Sequence, residues 1–91
     1  MVVLGFSPAA EADLERIFAF NSARTLAWAE KVERRLQERA RALLVTPELG
    51  RGTVRSGVKR LSVPDIQYVL EYRAHSGGIQ ILRIYSTREI R

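Results

Sequence analysis

The stretch "IQILRIYSTREIR", residues 79 to 91, sets Arg83, Tyr85 and Arg88 two and three residues apart at the end of a run of β-forming residues. Guanidinium groups hold phosphates or carboxylates, and a ring beside them can stack on a base. These residue types therefore suit the gripping of nucleic acid or of an acidic protein segment. Arg51 and Arg60 lie upstream in the same half of the chain, with Tyr68 and Tyr72 between them and the terminus. Strands also favour tyrosine for packing alone. The terminus reads as part of a cutting site, as a binding surface or as an ordinary charged tail, depending on the elements that carry it.

Other chemistries find little support. His75, the single histidine, falls in a hairpin tip beside Ser76 and two glycines, a position that reads as solvent-exposed. The chain has no cysteine, which removes disulfides, thiolate metal sites and cysteine nucleophiles together. Its carboxylates cluster only in the first helix, where the helix dipole accounts for them, so no metal site and no cofactor are expected. "GRG" at residues 50 to 52 lacks the lysine and hydroxyl of a phosphate-cradling loop and reads as a helix C-cap and turn. Ser7 and Ser62 have no visible base partner, and no catalytic residue is assigned.

With 91 residues the chain is expected to form one domain, residues 1 to 91, around one modest core. Apolar residues at 46% and charged residues at 27% are those of a folded globule. No stretch approaches the roughly 20 apolar residues of a membrane span, and a soluble cytoplasmic protein is expected. The net charge of +5 is unevenly placed: residues 1 to 50 balance seven basic against seven acidic residues, whereas residues 51 to 91 set eight against three. A field of one sign steers association with an anionic partner, although a small basic protein also gains solubility from it.

The elements follow from pattern. "VVLGF" reads as a strand, and Ser7-Pro8 as an N-cap with proline at the first helical position. Leu14, Ile17, Phe18 and Asn21 share a helical stripe that ends near "FNSA". Ser22 is expected to cap a second helix, in which Trp28, Val32, Leu36, Ala40, Leu43 and Leu44 recur at three- and four-residue steps. "TPELGRG" ends the hairpin. "VKRLSV", "IQYVLEYR" and "IQILRIY" then read as three strands, with "PD" and "AHSGG" as turns. The expected fold is α+β in the order β-α-α-β-β-β, an N-terminal strand and a helical hairpin packed on a small, mainly antiparallel sheet. Alternation puts Ile66, Tyr68, Leu70 and Tyr72 inward and Gln67, Val69, Glu71 and Arg73 outward. With Leu82 and Ile84 inward, Arg60, Arg73 and Arg83 share the uncovered face.

The order of elements and four local patterns resemble the RelE/ParE superfamily of toxins from type II toxin-antitoxin modules, its ParE branch in particular. The patterns are "FSPAAEADLERIF", "PELGR", "YVLEY" and "IQILRIYSTR", and they span almost the whole chain. The resemblance implies a cytoplasmic toxin of a plasmid-stabilising kind that arrests growth. It would be neutralised by a cognate antitoxin whose acidic, partly disordered segment folds onto it in a hetero-oligomer. RelE-like members cut mRNA on the ribosome, whereas ParE-like members inhibit DNA gyrase. The cutting pattern places an arginine after the first tyrosine of "YVLEY", where this chain has Val69. It also has an arginine beyond the last strand, matched by Arg88, and a tyrosine farther on that has no counterpart before Arg91. The resemblance thus implies a gyrase inhibitor that works by binding, with Arg51, Arg60, Arg83, Tyr85 and Arg88 as target-binding residues. Two alternatives stay open: a metal-independent mRNA endonuclease using Arg83 or Arg88, and a non-toxic relative that only binds its antitoxin.

Overall fold

The structure is a computed structural model that describes residues 3–89; Val2, assigned by sequence to the first strand, and the terminal Ile90 and Arg91 lie outside them. Strand β1 (Val3–Phe6) is followed by helices α1 (Pro8–Ser22) and α2 (Leu26–Val45) and a 3-10 turn, Pro47–Leu49. Strands β2 (Arg51–Gly52), β3 (Val58–Val63), β4 (Tyr68–His75) and β5 (Gly78–Ser86) complete the sheet, and a second 3-10 turn covers Thr87–Glu89. The sheet order is β1-β5-β4-β3-β2, with β1 parallel to β5 and the other pairs antiparallel. The expected α+β order is present, with β2 as an additional short strand. Two residues carry no hydrophobic period, and β2 forms because its chain pairs with Arg60 and Lys59 at the edge of β3.

The helices cover one face. Ala10 and Ile17 of α1 and Val32, Leu36, Ala40 and Leu43 of α2 close over Leu61, Val63, Tyr68, Leu70, Tyr72, Ile79, Ile81 and Ile84 in one cluster. Ser7 caps α1 as expected: its hydroxyl accepts from the Ala10 amide at 3.0 Å while donating to the Leu82 carbonyl at 2.8 Å. The cap of α2 is Thr25, whose Oγ1 accepts from the Trp28 amide at 3.0 Å. Ser22 instead completes α1 and donates back to Ala19. A hydroxyl already inside the helix competes for a carbonyl three residues earlier, and the next extended residue takes over as cap.

Two other expectations shift. Strand β4 begins at Tyr68 and not at Ile66, because the turn after Pro64 takes in Ile66 and Gln67, whose amides both donate to the Val63 carbonyl. Gln67 sits in the left-handed region at φ 62°, which a four-residue turn imposes and a strand does not. In β5 the expected inward pair, Leu82 and Ile84, is broken by a β-bulge: Glu71 faces Arg83 and Tyr72 faces Ile81, leaving Leu82 as the extra residue. The bulge lets Ile79, Ile81 and Ile84 all face the helices. It thereby relieves the conflict of a strand whose apolar residues fall on both parities.

The motif residues tie the layers together. Tyr72, fully buried, donates its hydroxyl to the Pro47 carbonyl at 2.6 Å and accepts from the Gly50 amide at 2.9 Å. "PELG" is therefore a clasp around one phenol, and a Cβ at Gly50 would stand 2.6 Å from the Tyr72 ring. Buried Asn21 joins three elements, donating to the Ile17 carbonyl at 2.8 Å and to the Tyr68 hydroxyl at 3.0 Å, and accepting from Trp28 Nε1 at 2.8 Å.

Candidate functional site

The face of the sheet turned away from the helices is built in cross-strand rows. Register places Arg51, Arg60, Glu71 and Arg83 side by side across β2, β3, β4 and β5. Ser62, Val69 and Tyr85 form the next row, and Val58, Arg73 and Gln80 lie on the other side. Arg60, Arg73 and Arg83 thus share a face as expected. Val69 and Glu71 face the same way but are buried rather than exposed, beneath longer side chains on that surface.

Glu71 is the hub of this face. It is 7% exposed, and its carboxylate receives Arg60 Nε at 3.3 Å, Arg55 at 3.4 Å and the Tyr85 hydroxyl at 3.4 Å. The Arg60 guanidinium also lies 6.0 Å from the centre of the Tyr85 ring, within reach of a cation–π attraction. Burial first, and then the negative charge of Glu71, push the Tyr85 phenol above its ordinary pKa. The phenol stays protonated and donating at neutral pH. Arg51 stands exposed directly opposite Arg60, a like-charge pair that costs stability unless an anion lies between.

Arg83 has a different role. Its guanidinium makes a two-point contact with Asp13 of α1, at 2.8 and 3.2 Å, and the same carboxylate accepts from the Ile84 amide at 2.9 Å. Strand β1 ends at Phe6, so the outer edge of β5 beyond Ile81 needs other partners, and α1 supplies them through Ser7 and Asp13. Burial raises the Asp13 carboxyl pKa, but the hydrogen bonds from Arg83 and Ile84 and the Arg83 charge outweigh it and hold the group below the usual range.

Arg88 lies apart from this network. It lines a cleft of about 410 Å³ beside the turn of the helical hairpin, with Arg16, Phe20, Arg24, Trp28 and Gln67 among its neighbours. The structure therefore brings Arg51, Arg60 and Tyr85 together, draws Arg83 toward the helices and sets Arg88 elsewhere. Sequence reading missed Glu71, Arg55 and Asp13. Asp13 carried a signal, since it falls on the apolar stripe of Ala10, Ile17 and Asn21; Glu71 carried one as an acid flanked by arginines across both neighbouring strands. Among the described residues no group of histidine, cysteine, aspartate or glutamate side chains is arranged to hold a metal ion.

Comparison with known proteins agrees with this architecture. The chain of the structure described as the chromosomal ParDE TA system from P. aeruginosa superposes with a TM-score of 0.82 at 26% identity, covering 94% of this chain and 96% of that one. No curated protein matches the sequence. The family model for the ParE toxin of type II toxin-antitoxin system, parDE, matches residues 4–91, which include the capped first helix, the clasp around Tyr72 and the bulged last strand. The chain belongs to the ParE toxin family of type II toxin-antitoxin systems.

Proposed function

We propose that this protein inhibits DNA gyrase by binding it, and that the outer face of the sheet, with Arg60 and Tyr85 at its centre and Arg51 beside them, makes the contact. One observation carries the reading. At the position after Tyr68, where RelE-like cutting would present a cation, Val69 is buried in the row between Ser62 and Tyr85. The cations gather instead around a buried carboxylate that holds them for recognition. Arg88 extends the contact through the neighbouring cleft, and Arg83 contributes its half-exposed outer edge while anchored on Asp13.

A cognate antitoxin neutralises the toxin in this reading, as the likeness to a ParDE system supports. Phe20 and Leu26 are exposed on the helical hairpin, where an amphipathic segment can bury them while its carboxylates reach the arginines. The toxin then acts in the cytoplasm, where its target is, and is held there in a hetero-oligomer. The contact of Arg60 with Tyr85 favours a second reading, mRNA cleavage, because a cation beside a phenol is a phosphate-stabilising and proton-transferring pair. Purified protein tested in parallel in a gyrase supercoiling reaction and a coupled translation reaction separates the two. Blocked supercoiling with intact message is the expected result; cleaved message with normal supercoiling would establish the second reading.

A further inference from the structure

We infer that the β2–β3 edge of the outer face, with Arg51, Arg55, Arg60 and Arg73, is a binding site for the phosphodiester backbone of duplex DNA, independent of base sequence. Among the described residues the ion pairs differ in geometry. Arg83 grips Asp13 and Arg35 grips Asp65 through two nitrogens each, with shortest contacts of 2.8 and 2.7 Å. Arg55 and Arg60 touch Glu71 through one nitrogen each, at 3.4 and 3.3 Å, longer than a charge-assisted bond prefers. Their side chains are 61% and 46% exposed, so both guanidinium groups meet solvent, with Arg60 also beside the Tyr85 ring. Glu71 aims these arginines without satisfying them.

The surroundings fit a polyanion. Residues 51 to 60, "RGTVRSGVKR", hold four cations and no acid, and Arg51 opposes Arg60 in register. Arg73, exposed on β4, adds a further charge to the same face. Strands about 4.8 Å apart make the row from Arg51 to Arg83 about 14 Å long. Duplex DNA carries a charge every ~1.7 Å of its axis, so a row of that length faces several phosphates. An acidic protein segment would need apolar anchors as well. On this face Val58 and Val69 are buried, whereas Phe20 and Leu26 are exposed on the hairpin. Val54, adjacent to Arg55 in sequence, is exposed, but one aliphatic side chain is a poor interface core. An amphipathic peptide finds its apolar anchors on the hairpin side, whereas the β2–β3 edge offers charge to phosphates, beside the Arg60 and Tyr85 surface turned to gyrase. A toxin acting on gyrase meets DNA wherever that enzyme holds it, and this inference rests on the gyrase reading only for that setting.

The test is fluorescence anisotropy of a labelled random-sequence DNA duplex with purified toxin and no gyrase, across a salt series. The expected plot of log affinity against log salt falls with a slope of about −3, as for three to four neutralised phosphates. Arg55→Ala/Arg60→Ala weakens binding at least about tenfold and makes the slope shallower by about 2. Arg34→Ala/Arg41→Ala on α2, with the same change in net charge, alters affinity less than about twofold. Equal losses in the two double variants would reduce the effect to net charge and overturn the site. So would absence of binding at about 50 mM salt, or equally tight binding of a glutamate-rich peptide in place of DNA. Should Arg55→Ala/Arg60→Ala fail to fold, Arg51→Ala/Arg73→Ala carries the same comparison. Supercoiling inhibition is measured separately, so failure here and failure of the gyrase reading are told apart.

Discussion

Asp13 and Tyr72 show how single polar side chains do work that the backbone leaves undone. Asp13 substitutes for a missing neighbouring strand, accepting the Ile84 amide and pairing with Arg83 while only 4% exposed. Asp13→Ala removes the acceptor and strands both donors, and urea denaturation should show a loss of about 3 kcal/mol. The pH dependence has a definite sign. A carboxyl held below its ordinary value in the folded state adds stability that is present above about pH 4 and is lost as pH falls through the folded value. Asp65, lowered by its hydrogen bonds from Arg35, acts in the same direction. Asp13→Asn should therefore show a shallower acid limb in stability measured from pH 7 to pH 2 than the parent, with the Asp65 contribution remaining. Tyr72→Phe leaves the Pro47 carbonyl and Gly50 amide without their partner and should cost about 1–3 kcal/mol in the same denaturation assay. None of these partnerships is legible from spacing alone, because each joins residues more than 20 positions apart.

At the scale of elements, what was local in the sequence was legible and what depended on pairing was not. The Ser7-Pro8 start of α1, the apolar stripe of α2 and the alternation of "VKRLSV" each act within a few residues, and each forms as its pattern indicates. The bulge in β5 is different. A period of two cannot reveal an inserted residue, and the clue was the conflict itself, apolar residues at 79, 81, 82 and 84 that no single parity seats together. The start of α2 was missed by three residues because Ser22 and Thr25 are chemically equivalent caps, and only the length of α1 chooses between them. Thr25→Ala should lower stability by about 1 kcal/mol, and Ser22→Ala by much less, as read from thermal melts. Gly50→Ala tests the clasp as an element: its Cβ would press on the Tyr72 ring and on the Arg60 carbonyl, 2.8 Å away. A loss of about 1–3 kcal/mol is expected. Of the five candidate site residues, the strand pattern correctly put Arg60 and Arg83 on one face, but it could not show that a helix carboxylate claims Arg83.

Across the whole molecule the helices cover one face of the sheet, and in the proposed reading the other face is the one that recognises the target. The helices fill one side with a closed apolar cluster, and Arg51, Arg60 and Arg73 stand on the other, where Arg55 and Arg60 meet Glu71. This division changes which substitution probes function. Charge reversal at Arg83 would place a second carboxylate against buried Asp13 and is expected to destabilise the edge of β5, so loss of toxicity there would report stability. Arg60 is the cleaner probe, being 46% exposed and fixed by long contacts. Arg34 on α2, also exposed, is its charge-matched control. The most direct measurement is inhibition of gyrase supercoiling by the parent protein, Arg60→Glu and Arg34→Glu, each confirmed folded by circular dichroism. The expected result is inhibition by the parent, at least about a tenfold higher concentration of Arg60→Glu for the same effect, equivalent to about 1.4 kcal/mol, and no change for Arg34→Glu. Equal inhibition by all three proteins, or none by any, would contradict it.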